Sequence, residues 1–156
     1  MESIYIETSI ISYLAARLSS NLISAARQKI TFDWWEQERK KYKTYISELV
    51  IAECSRGDKN AVKMRLNLVR NIPVLKINDD CIELAELFFV KASLPEKARN
   101  DALHVAIATH YKIDFLLTWN CRHLANAHFI RKLQKISLEE GLVIPTICTP
   151  QEITNE

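Results

Sequence analysis

The chain is predicted to fold as an α/β protein, a three-layer α/β/α sandwich with a short parallel sheet. Two observations predict this class. Short β-branched and aromatic runs alternate with helical stretches, and no Asn-Gly-type hairpin signal lies between successive runs, so neighbouring strands need crossover helices. In addition, the tract DALHVAIATHY is apolar nearly all round, as expected of a helix lying flat on a sheet.

Taken in order, Ser3 to Ile6 reads as the first strand, and Thr8 or Ser9 caps a helix running to about Arg17. Asn21 opens a second helix. In it Leu22, Ile23, Ala26, Ile30 and Trp34 recur at helical spacing before the polar end EQERKKYK. At that spacing Trp34 and Trp35 are core or interface residues rather than a platform for bases. Thr44 to Ser47 is the second strand, and Ser47 caps ELVIAECS, which SRGD ends near Gly57. Asp58 caps the next helix, Lys59 to about Asn71. Val62, Leu66 and Val69 fall on one face of it, and Lys59, Lys63, Arg65 and Arg70 load the rest with positive charge.

Pro73 ends that helix and Val74 to Ile77 gives the third strand. A helix starting at Asn78 to Asp80 runs to about Ala92, with Ile82, Ala85, Leu87 and Phe89 as its apolar positions. SLPEKARN is a loop, and Asn100 is the expected cap of the alanine-rich helix. Asp114 to Thr118 is the fourth strand, WNCRHL the turn after it, and a helix covers His128 to Lys135 or part of it. Val143 to Ile147 makes the fifth strand, and Thr149-Pro150 starts a terminal helical turn. Nothing divides this pattern, so residues 1–156 are expected to form a single domain.

Composition excludes several classes. With 21 Lys and Arg against 19 Asp and Glu, the formal charge of +2 does not mark a nucleic-acid binder by itself, so any basic surface is local. Two such runs exist, Lys59/Lys63/Arg65/Arg70 and Arg39/Lys40/Lys41/Lys43, each most simply a solvated face and each able to track an RNA backbone. The four cysteines form no CxxC pair, which argues against a zinc knuckle or a redox motif and fits reduced thiols in a cytoplasm. The start MESIYIE has no basic n-region, and no segment approaches the roughly 18 apolar residues of a bilayer span, so no membrane role is expected.

The acids carry the chemistry. Glu7 stands at the end of the first strand, Glu53 in the helix after the second, Asp101 in the first turn of the alanine-rich helix, and Asn120 just past DFLLT. In a parallel α/β sheet all four can face the carboxyl edge, where ligands collect. Carboxylates gathered there repel one another unless a cation compensates, and oxygen ligands without Cys or His favour hard ions such as Mg²⁺ or Mn²⁺. A plainer role exists for Asp101, since an acid in a first turn contributes roughly 0.3–1 kcal/mol through the helix dipole. Glu53 interrupts the apolar run LVIA-E-C. Glu48, five residues earlier, is rotated about 140° away and reads as an ordinary N-terminal helix acid.

The segments IYIETSIISYL, ISELVIAEC, RNDALHVAIA and FLLTWNCRHL resemble, in order, the four sequence blocks of PIN-domain proteins, in particular those similar to VapC toxins of bacterial toxin–antitoxin pairs. The resemblance implies a PIN-like α/β/α domain with strand order 3-2-1-4-5 and a Mg²⁺- or Mn²⁺-dependent endoribonuclease site. Glu7, Glu53, Asp101 and Asn120 would be its catalytic and metal-holding residues. Ser9 matches a small polar position of the first block, while His104, one turn from Asp101, and His123, in the site loop, are candidates to orient a ligand or contact substrate.

Glu53 and Asp101 match the family's acids. Glu7 stands where the family carries Asp, and its extra methylene moves the carboxylate outward by roughly 1.5 Å, to which Mg²⁺ sites are sensitive. Asn120 replaces the fourth acid, keeping an oxygen and removing a charge. The expected partners are an RNA substrate, a small antitoxin and a second copy of the chain in a homodimer. The alternative, from a different class, is a PIN-like module that has lost catalysis and binds RNA or protein.

Overall fold

The structure, a computed structural model, describes residues 1–154. Five strands, β1 (Ser3–Ile6), β2 (Lys43–Ser47), β3 (Val74–Leu75), β4 (Phe115–Leu117) and β5 (Thr146–Cys148), form one all-parallel sheet in the order β3-β2-β1-β4-β5. The predicted class and strand order are both observed. The helices are α1 (Thr8–Ala15), α2 (Leu22–Gln37), α3 (Glu48–Cys54), α4 (Lys59–Val69), α5 (Asp79–Lys91), α6 (Arg99–His110) and α7 (Ala127–Glu139). They pack in two groups, α1 against α2, α3 and α4, and α5 against α6 and α7. Among the described residues no helix is long and apolar enough to cross a membrane.

A strand covered on both faces must be apolar throughout, and Ile4, Tyr5 and Ile6 are all fully buried. On the far side, α6 buries eight residues, Asp101 and His104 among them, so the polar side chains of this helix are held inside the protein. Pairing of Ile6 with Leu117, and the bond from Glu7 N to Leu117 O (3.0 Å), put Glu7 and Thr118 side by side just beyond two adjacent strands. Strand order runs outward in one direction through β1, β2 and β3 and in the other through β4 and β5. The gap between β1 and β4 is therefore the switch point where such sheets open a crevice.

Local departures from expectation have physical causes. The cap of α1 is Glu7 itself, whose side chain accepts from Ser9 N, rather than Thr8 or Ser9. Asn100 caps nothing: a 3-10 turn, Glu96–Ala98, leads straight into α6, and Asn100 is already helical. In α2 only Thr31, Trp34 and Trp35 are buried, while Leu22 and Ile23 in its first turn are exposed. In α5 the buried stripe is Cys81, Leu84 and Phe88, and Ile82 faces solvent. β3 stops at Leu75 and β5 begins after Pro145, which cannot donate to a ladder. At the end, Thr149 to Glu152 closes one turn, with Glu152 Oε1 accepting from Thr149 N and Oγ1 (2.9 Å each).

Candidate functional site

The carboxyl edge of β1 supplies the first acid. Glu7 Oε2 accepts from Ser9 N (3.0 Å), from Ser9 Oγ and from Thr118 Oγ1 (2.8 Å), so three donors converge on one oxygen. Glu7 is 6% exposed, and no hydrogen bond from the described residues reaches its Oε1. Ser9 thus belongs to the site by holding Glu7. Its Oγ also accepts from Trp119 N (2.8 Å), tying helix α1 to the loop after β4.

The second acid repeats the arrangement. Glu53 Oε1 receives Thr8 Oγ1 (2.7 Å) and His104 Nε2 (2.7 Å), and the Asn100 side chain also favours the charged form of this carboxyl. Position 53 is reached because Ser47 ends β2 and caps α3, taking Val50 N on its Oγ at 3.3 Å. Arg65 of α4 then fixes the other end of this short helix, donating to the carbonyls of Cys54 and Arg56. One member of the sequence-predicted basic face is therefore turned onto α3 instead of presented to a phosphate backbone.

The third acid, Asp101, lies in the first turn of α6 and is 9% exposed. Its Oδ1 accepts from Asn120 Nδ2 at 3.1 Å. The orientation of that amide is set by a fixed donor, because Asn120 Oδ1 takes the backbone N–H of His123 at 3.1 Å. A flipped amide would face oxygen with oxygen at Asp101 and nitrogen with N–H at His123. Asn120 N in turn donates to Thr118 Oγ1 (2.9 Å). The His123 side chain stays outside this cluster, its ring 6.4 Å from that of Phe129.

His104 stands one turn along α6 from Asp101 but bonds Glu53. One ligand atom each from Glu7, Glu53 and His104 lie within 4.8 Å of one another. The ring has no nitrogen to spare, however, because Nδ1 meets Tyr5 Oη at 2.6 Å while Nε2 meets Glu53. It acts on a carboxylate rather than on an ion. Trp119 pins the loop from outside, its Nε1 donating to Thr31 Oγ1 of α2 at 2.7 Å and its ring lying under the Arg27 guanidinium.

The electrostatics follow from crowding. Burial, joined by the charges of Glu7 and Glu53, pushes Asp101 up to about 6, against opposing pulls from His104 and Asn120. Burial also pushes Glu53 up, but His104, Thr8 and Asn100 outweigh it and hold the carboxyl below its ordinary value. The His104 ring, which burial alone would push down, is carried above its ordinary value by Glu53, Glu7 and Asp101. Three carboxylates bear on one another here, with the His104 ring as their nearest basic neighbour. That donor set, oxygens alone with surplus negative charge, suits a hard divalent cation.

Of the residues the sequence singled out, Glu7, Ser9, Glu53, His104, Asp101 and Asn120 come together here. Thr8, Thr118, Tyr5 and Ser47 were missed as site residues. Each hydroxyl has a commonplace reading in sequence, as a helix cap, a strand end or a core aromatic.

A family model described as the PIN domain matches residues 4–128. Among solved structures, the chain is similar to Mycobacterium tuberculosis VapC20, a Sarcin-Ricin loop cleaving toxin, with 21% identity and TM-score 0.57 over 73% of this chain and 87% of that one. It is similar also to VapBC2 from Rickettsia felis bound to a DNA fragment from their promoter, with 14% identity and TM-score 0.60 over 94% and 97%. VapBC-1 from nontypeable Haemophilus influenzae gives 15% and 0.59 over 95% and 98%. At these identities the likeness is one of fold. No curated protein matches the chain.

Proposed function

The chain belongs to the PIN domain family, and from that premise we propose that it is an endoribonuclease dependent on Mg²⁺ or Mn²⁺, the toxin of a toxin–antitoxin pair. The observation that carries the proposal is the pair Glu7 and Glu53 at the switch point, with ligand atoms within 4.8 Å of one another and each anchored by protein donors, and with Asp101 near enough that their charges bear on it. Those carboxylates would hold the cation, with Asn120 steadying Asp101 from the loop. When bound, such a cation supplies positive charge for the developing phosphorane oxygen and eases deprotonation of the attacking water. The residues supply preorganisation: donors on Glu7 and Glu53 are already in place, so neither carboxylate has to reorient when RNA arrives.

The likeness to the VapBC structures supports an antitoxin as partner, and a homodimer in the cytoplasm completes the proposal. The test is cleavage of structured RNA in Mn²⁺ or Mg²⁺ with EDTA as control. Parent protein should cleave and Asp101→Asn should not, while keeping its fold through the retained bond to Asn120. Equal rates for the two proteins would refute the assignment.

One observation favours a second reading, a PIN-like module that binds RNA or protein without cutting. At the fourth position Asn120 offers a nitrogen, not an oxygen, to the acid cluster. On that reading RNA is retained in a binding assay and no cation restores cleavage.

A further inference from the structure

We infer that Tyr5 and His104 are positioning residues that fix Glu53 for cation binding through a buried chain running Ser47, Tyr5, His104, Glu53. The inference rests on the reading that Glu53 holds a cation, and it concerns how one carboxylate oxygen is selected for that task.

Four elements contribute one residue each, β2, β1, α6 and α3, and the three links measure 2.7, 2.6 and 2.7 Å. Tyr5 is fully buried and His104 is 1% exposed, so water does not compete along the chain. Its direction is set from the carboxylate end. Glu53 Oε1 can only accept, so His104 Nε2–H donates to it; with a neutral ring Nδ1 then accepts from the Tyr5 hydroxyl, and Tyr5 in turn accepts from the Ser47 hydroxyl, whose oxygen also takes Val50 N–H. Every group donates once and none is left unpaired.

Should the ring also carry a proton on Nδ1, the Tyr5 and Ser47 hydroxyls turn over and Nε2–H still points at Glu53. The N–H toward the carboxylate is thus common to both charge states. Thr8 donates to the same oxygen, so Glu53 Oε1 carries two protein donors and Oε2 is the oxygen better placed to take a ligand, beside the Asn100 side chain. In this role Tyr5 sets the tautomer and His104 sets the carboxylate, the arrangement by which outer partners orient metal ligands.

The experiment compares His104→Asn, His104→Gln and Tyr5→Phe by Mn²⁺ titration calorimetry on the full chain in the absence of RNA, with a urea midpoint for each. A glutamine amide reaches about as far as Nε2 and retains a donor to Glu53, while asparagine reaches only as far as Nδ1. Asparagine should weaken Mn²⁺ binding about tenfold or more and glutamine no more than about threefold, within the range seen on removing an outer partner of a metal ligand. Tyr5→Phe keeps the ring volume and should weaken Mn²⁺ between those two. In the parent, ¹⁵N spectra should show His104 protonated at Nε2.

Equal affinities for the asparagine and glutamine variants, an unchanged Tyr5→Phe, or a neutral ring protonated only at Nδ1 would each overturn the inference. If a His104 variant does not fold, Tyr5→Phe and the parent's ¹⁵N spectrum still decide. A parent that binds no Mn²⁺ overturns the cation site itself, an outcome distinct from a parent that binds while the variants match it.

Discussion

Asp101→Asn should stabilise the cation-free protein, and by an amount that grows with pH. The native pKa of Asp101 is raised from 3.8 to about 6, so between those values the folded state holds a proton that the unfolded chain has released. Stability from this group is therefore present at low pH, is lost as pH rises through the window, and is fully lost just above 6. A gap of about 2 units corresponds to about 3 kcal/mol, an upper bound since part of the burden is relieved by relaxation. Asparagine removes the charge yet keeps an oxygen for the Asn120 amide.

The gap between variant and parent should thus be near zero at pH 4 and approach about 3 kcal/mol at pH 7.5, or roughly 6–12 °C in Tm for a chain of this size. Urea unfolding in EDTA at half-unit pH steps measures it directly. A difference that stays flat from pH 4 to 8 would refute the claim that Asp101 is a desolvated acid among like charges. Saturating Mn²⁺ should narrow that gap at pH 7.5, because one hundred times Kd adds about 2.7 kcal/mol to a binding parent and less to a variant lacking the ligand.

Thr118→Val should destabilise the protein by about 1–3 kcal/mol and weaken Mn²⁺ binding, since one buried hydroxyl serves both Glu7 Oε2 and Asn120 N; unchanged calorimetry would sink that role. Asn120→Asp should lower Tm in EDTA at pH 7.5 by setting a fourth carboxylate against Asp101, and raise Mn²⁺ affinity. A thermal scan with and without Mn²⁺ reads both effects, and a variant as stable as the parent in EDTA would count against the observed amide orientation.

The sheet order and the three acids were legible in the sequence for different reasons. Buried parallel strands leave uninterrupted runs such as SIYI and DFLL, and a carboxylate just past such a run, or inside LVIAEC, stands out against apolar neighbours. The hydroxyls that hold the acids were not legible. Thr8 sits one residue into α1 and reads as a cap, yet its Oγ1 goes to Glu53, forty-five residues away. Tyr5 reads as a core aromatic, and its partner Ser47 is found only through register: Tyr5 pairs with Tyr45, so Ser47 lies two residues further along the neighbouring strand, on the same face. Helix faces failed for a similar reason. In α5, spacing alone allows either stripe, and the packing of α6 selects Cys81, Leu84 and Phe88 over Ile82.

If the site holds a cation as proposed, Asn120 sets how free energy divides between the folded protein and that cation. Four carboxylates at one sheet edge would repel strongly in the free protein and reward a cation correspondingly. With an amide in the fourth position, Asp101 gains a neutral donor and loses a like-charged neighbour, so the free protein is less strained and the cation gains less on binding. The same amide cannot rotate to offer its oxygen without abandoning His123 N, which orders the loop behind it. On the proposed reading, cation affinity then rests on the carboxylates of Glu7, Glu53 and Asp101. The hydroxyls of Ser9, Thr118 and Thr8 and the ring of His104, by holding Glu7 and Glu53 in advance, offset what the missing charge would otherwise cost.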